Sequence, residues 1–193
     1  MALFPPSLPF SKSLAALAVV PVLAVTACDR TPPQMKGPSP EEQAAAPAWE
    51  KEDVWLYMPD RIIKQRIDEK ALTPYMDQVT AAAAGVIEAG PREAGSSNML
   101  LVMIKPGQRA KSWIVSSKPE FSAEKVEAVT TAVNAVAAPA VNGGPVLVGV
   151  RFKAYGGGEP LISERPPIPK DWYQYFGDKG LLDDAFMARV WPD

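Results

Sequence analysis

Apolar residues in this chain fall into a few well-separated blocks. MLLVMI, residues 99 to 104, is an uninterrupted apolar run, as expected of a strand buried on both faces. In AKSWIVSS, Trp113 and Val115 fall on one side and Ser112 and Ile114 on the other. Lys105-Pro106-Gly107-Gln108 between these runs fits a type II turn, because proline fixes the second position and glycine accepts positive φ at the third. The two runs therefore make a hairpin. PVLVGVRFKAY, residues 145 to 155, reads as a long strand with Val146, Val148, Val150 and Phe152 on one face. PREAGSSN reads as a loop, and Gly156 to Gly158 as a break after the last strand.

Two other stretches have helical spacing. Met76, Val79, Ala83, Val86 and Ile87 share one face, with Thr73-Pro74 as the start signal and Gly90-Pro91 as the stop. Val126, Val129, Val133 and Val136 form a second stripe, opened by Ser122 as N-cap, stapled by Phe121 and Val126, and ended by Pro139. RIIKQRIDEKAL predicts a short helix ahead of the first, and DWYQYF and LLDDAFMARV predict two short helical pieces at the end. The expected fold class is α+β: one small domain over residues 53–193, with a helix-strand-strand-helix-strand core and a short helical C-terminal tail.

The chain before residue 53 follows different rules. Lys12 gives a basic start, and Leu14 to Ala27 is uncharged and mostly apolar. That run is shorter than the roughly 20 apolar residues a spanning helix needs. It has the form of an export signal. Val25-Thr26-Ala27-Cys28 resembles the lipobox of bacterial lipoproteins, which implies cleavage before Cys28 and acylation of its sulfur. The alternative is an ordinary signal peptide followed by a chance cysteine. Residues 1–27 are then a leader, and residues 28–52, rich in Pro and Ala, a tether too poor in large apolar side chains to fold. The expected location is the periplasmic face of the cell envelope, held by the lipid anchor, with the choice of inner or outer membrane open.

Composition narrows the chemistry. Cys28 is the single cysteine, so no disulfide forms within the chain. There is no histidine, which excludes Ser-His-Asp and Cys-His catalysis and His-ligated zinc. A net charge of −2 offers no nucleic-acid surface. Neither a cofactor nor a metal site is expected.

The segment 99 to 153 resembles the C-terminal domain of TonB, the envelope energy-coupling protein. The resemblance rests on the hairpin around Lys105-Pro106-Gly107-Gln108, on Val115-Ser116-Ser117, and on the helix running into Ala137-Ala138-Pro139-Ala140. Asn142-Gly143-Gly144-Pro145 and the strand ending at Arg151-Phe152 complete it. It implies two strands, a helix and a third strand, and a domain that binds proteins by pairing an exposed edge with an extended segment. The membrane-spanning helix of that family has no counterpart, so the resemblance carries a fold and a bias toward protein binding, without the coupling function.

Two constellations are candidates for function. Ser122-Ala-Glu-Lys125 spells S-x-x-K, the serine–lysine pair of penicillin-binding enzymes, but K-T-G and S-D-N are absent and the N-cap role accounts for Ser122. The tail carries Trp172, Tyr173 and Tyr175 together with Asp178, Asp183 and Asp184. Exposed tyrosine is favoured at protein interfaces, so these six are the expected partner-binding residues; the alternative for the aromatic set is core packing, with Trp172 and Phe176, one turn apart, lying on the sheet. The expected function is a non-enzymatic, lipid-anchored module that binds another envelope protein or a periplasmic effector. It would act as an immunity-type inhibitor, its acidic tail blocking a basic cleft. The alternative is a structural component of an envelope complex that docks through a strand edge; a Ser122–Lys125 hydrolase is the rival from another class.

Overall fold

In the computed structural model, the described residues are 39–161, 166–176 and 182–193. Cys28, the lipobox and Asp178 lie outside them. The elements run α1 (Pro40–Ala45), β1 (Trp49–Leu56), α2 (Asp60–Arg66), α3 (Glu69–Ala89), β2 (Ser96–Lys105), β3 (Arg109–Ser116), α4 (Ala123–Asn134), β4 (Val146–Ala154), a 3-10 turn (Lys170–Tyr175) and α5 (Asp184–Val190). The four strands make one antiparallel sheet in the order β1-β4-β2-β3. This is a single small α+β domain.

Strand alternation divides the core into two layers, one on each face of the sheet. Ser112 Oγ donates to Asn134 Oδ1 on α4 at 2.9 Å, so the even positions of β3 face the helices. Trp113 packs edge-on against Trp172 at 5.0 Å, so the odd positions face the C-terminal elements. The register extends both sets across the sheet. Val146, Val148, Val150 and Phe152 therefore meet the helix layer, as their period of two predicts. All ten residues of β2 are buried, because this strand is central and covered on both sides. The hairpin turn also has the expected form, with Gly107 at φ 85°.

Four local differences from the sequence pattern have physical causes. The first strand begins at Trp49, inside the stretch read as tether. Not one of its eight residues is buried, so it shows no apolar alternation; its acids instead pair with β4, Asp53 with Arg151 at 2.9 Å and Glu52 with Lys153 at 3.2 Å. Further upstream, Ser39 and Glu42 close a reciprocal capping box that starts α1. The long helix α3 starts at Glu69 rather than at Pro74, because Asp68 accepts from Lys70 N–H and caps it earlier. Pro74 then sits inside the helix on an exposed face. Last, Ser96 to Asn98 belong to β2: Asn98 Nδ2 donates to Ser96 O and Oγ, and Ser97 N–H donates to Ser117 Oγ, so the donors of this polar stretch are bonded inside a buried strand while Asn98 Oδ1 is left without a partner.

Two charged clusters fasten this core, one at the end of α3 and one at the hairpin. The ammonium of Lys125 is buried and donates to Pro91 O at 2.8 Å and to Tyr155 OH at 3.0 Å. Tyr155 OH donates on to Ile87 O at 3.0 Å, so a cation and a phenol satisfy carbonyls at the C-terminal end of α3. At the hairpin, Lys105 and Arg109 both reach Asp193 Oδ1, at 2.9 and 2.6 Å, and Lys105 also donates to Trp191 O.

The triple glycine after β4 is a crossing point. Gly158 passes so near the strand entering β2 that a Cβ there would sit 2.6 Å from Gly95 O and 2.7 Å from Lys118 O. Gly158→Ala is expected to cost about 1–3 kcal/mol in denaturant unfolding, since backbone rather than a movable side chain must yield. The second expectation concerns acid. Hydrogen bonds from Lys105, then from Arg109, hold the Asp193 carboxyl below its ordinary value. A lowered carboxyl contributes above its unfolded value and loses that contribution as pH falls through its folded value. The indole signal of Trp191 should therefore shift in NMR spectra only on acidification below the ordinary aspartate range, and Asp193→Asn should abolish that step.

Candidate functional site

A concavity lies between α2 and α5, on the face of the sheet away from α3 and α4. It encloses about 730 Å³ and has apolar walls. Its floor begins where β1 ends. Tyr57 N–H still donates to Leu147 O at 3.3 Å, then Pro59 starts α2. The Tyr57 ring packs close on β4 because residue 149 is glycine: a Cβ there would come within 2.8 Å of Tyr57 Cε2 and of Met99 Sδ. Burial pushes the Tyr57 phenol well above its ordinary value, and its hydroxyl donates to Pro167 O at 2.6 Å. Met58, Ile62 and Ile168 continue the floor, and Phe176, Leu182 and Ala185 form the opposite wall.

Charge is confined to the rim. Arg66, at the end of α2, forms a two-pronged ion pair with Asp184, Nη1 to Oδ1 and Nη2 to Oδ2, each 2.7 Å. The same guanidinium donates to Pro145 O at 2.7 Å. It fits against the Asn142-Gly143-Gly144 turn only because residue 144 has no side chain; a Cβ there would meet the guanidinium at 2.8 to 3.0 Å. Arg66 thus straps α2, the turn before β4 and α5 together. Asp183 is the N-cap of α5: its Oδ1 accepts from Phe186 N–H at 2.8 Å, and its carboxylate stays exposed. The rim holds two carboxylates and one guanidinium, and that guanidinium is already spent on Asp184.

The expected partner-binding residues divide here. Tyr173, Asp183 and Asp184 line this groove together, and Tyr173 is 56% exposed. Trp172 is 1% exposed, packed between Trp113 and Phe186, so it is core and offers no surface to a partner. Tyr175 is half-buried against the core, and its carbonyl accepts from Arg189 at 2.7 Å. Asp184 does face the groove, but its charge is paired. Tyr57, Met58, Ile62 and Arg66 are among the lining residues that the sequence pattern did not single out. Their signal was the triplet Tyr57-Met58-Pro59, an apolar strand end stopped by proline.

The S-x-x-K residues adopt the capping geometry. Ser122 Oγ accepts from Lys125 N–H at 3.1 Å and donates to Glu93 Oε1 at 2.7 Å. The ammonium of Lys125 points elsewhere, to Pro91 and Tyr155. No cluster of three or more His, Cys, Asp or Glu suited to a metal ion occurs among the described residues. None of their helices is long and apolar enough to cross a membrane. No protein-family model, curated protein or solved structure matches the chain.

The rim strap predicts the effect of a conservative change. Arg66→Lys keeps the charge but loses the fork that holds Asp184 and Pro145 O together. It should lower stability by about 1–3 kcal/mol in chemical denaturation, and it should speed hydrogen exchange in α5 before that in the sheet.

Proposed function

We propose that the protein is a non-enzymatic binding module, anchored through an acylated Cys28 at the periplasmic face of the envelope, that holds another protein in the groove between α2 and α5. One observation carries the reading: an apolar groove of about 730 Å³ opens beside exposed Tyr173 and the Asp183–Asp184 pair. Sites of this size and lining take side chains or small ligands through hydrophobic contact, with few polar groups for orientation. The exposed carboxylate at Asp183 favours a partner that brings a basic group, as an inhibitor of a basic effector would require. Ser122 and Lys125 are accounted for by capping, so the reading assigns them no chemistry.

A photo-crosslinking residue at position 173 tests this in cells, with position 77 on the exposed face of α3 as the control. One protein should be captured at 173 and not at 77. Asp183→Asn keeps the capping oxygen and removes the charge; it should reduce that capture several-fold without lowering thermal stability by more than a few degrees. Equal labelling at both positions, or none, would overturn the reading. Cys28→Ser should release the protein from the membrane fraction, which tests the anchor separately.

A further inference from the structure

The sheet has two edges, and they are built differently. On β1 the register shifts between Lys51 and Asp53, a bulge, and four ion pairs tie Glu50, Glu52 and Asp53 to Arg151 and Lys153. Bulges and charges are how open edges are protected from pairing with another chain. On β3 there is no bulge, and of its two cations Arg109 is paired with Asp193 while Lys111 lies over its own Trp113. The eight residues of β3 pair with β2 in unbroken register. Ser117 N–H donates to Ser97 O at 2.8 Å, which sets the phase of the ladder. The odd positions 109 to 115 bond β2, and the N–H and C=O groups of Ala110, Ser112, Ile114 and Ser116 point outward. No backbone hydrogen bond among the described residues engages those outward groups.

We propose that this edge pairs with the same edge of a second copy of the chain, antiparallel about a two-fold axis, joining two sheets into one. Outward groups meet outward groups only if the axis passes through a residue. An axis at Ala110 or Lys111 opposes Arg109 with Lys111, or Lys111 with itself, and is disfavoured. The two axes that give full overlap pass through Ser112 or Trp113. They set Lys111 opposite Trp113 of the second copy, or opposite its Val115, and never opposite a cation. Lys111 already lies 5.3 Å from the Trp113 ring within its own strand, so the cation–aromatic pairing is native to this edge. In both registers the cations of the two copies stay apart, and in the first of them Lys111 of each copy meets Trp113 of the other. The assembly closes at two copies, because the edges left free are the bulged β1 strands.

Sedimentation velocity of the full protein in detergent should report a dimer at tens of micromolar. Ile114→Pro removes an outward N–H while leaving the β2 ladder intact, so it should weaken association about tenfold or more, whereas Ile114→Ala, which loses the same packing against the helix layer but keeps the N–H, should associate as the unchanged chain does. Hydrogen exchange gives a second reading that needs no variant: amides of Ala110, Ser112, Ile114 and Ser116 should become protected as concentration rises. A monomer at these concentrations, or exchange at the four amides that is independent of concentration, would overturn the proposal. So would protection of the same amides only when an extended acidic peptide is added, which would make the edge a docking strand for another protein. Loss of capture at position 173 alone would touch the groove reading and leave this one standing.

Discussion

Strand β2 is buried along its whole length, and that single constraint organises the molecule. A strand apolar on both faces must have a cover on each. Helices α3 and α4 supply one, through Val79, Ala83, Ile87, Val129 and Val133. The other comes from the end of the chain, where Trp172, Phe186 and Met187 are all but fully buried. The C-terminal elements are therefore a structural layer. Their aromatic richness reflects a core requirement: large rings cover the second face of the sheet with few residues.

That layer also makes the groove. The 3-10 turn and α5 pack on β3 through Trp172 and Trp113, leaving a gap between α5 and α2 that the Arg66–Asp184 pair spans at its rim. The apolar walls are the margins of the same core. What is free to meet a partner is a small set: Tyr173, the exposed oxygens of Asp183, and the floor from Met58 to Ile62.

The sequence disclosed the central elements because burial writes a period. Val146 to Phe152 alternate, MLLVMI is continuous, and Val129 and Val133 recur at helical spacing; each pattern matches the layer it packs on. Strand β1 stayed hidden because an edge strand held by ion pairs buries too little to alternate, and its lysine and acids look like a solvated linker. Thr73-Pro74 misled because Asp68 offers an equally good cap one turn earlier, and the helix tolerates a proline on its exposed side. The site was legible in part. Tyr173, Asp183 and Asp184 were visible as polar and aromatic tail residues, whereas Tyr57 and Arg66 reach the groove only through contacts about 80 to 110 positions away in the chain. No local pattern encodes such contacts. Trp172 carried two readings, partner contact and packing on the sheet, because an aromatic cluster has the same pattern in either role; its burial against Trp113 decides for the sheet.

Truncation tests the central claim most directly: compare unfolding of the chain ending at Leu161 with that of the full chain. If the C-terminal elements are the second cover of β2, the shortened protein loses cooperative unfolding and exposes apolar surface to a hydrophobic dye. Retention of a cooperative transition at the same denaturant midpoint would contradict the account, and would make the tail an appendage instead of a layer.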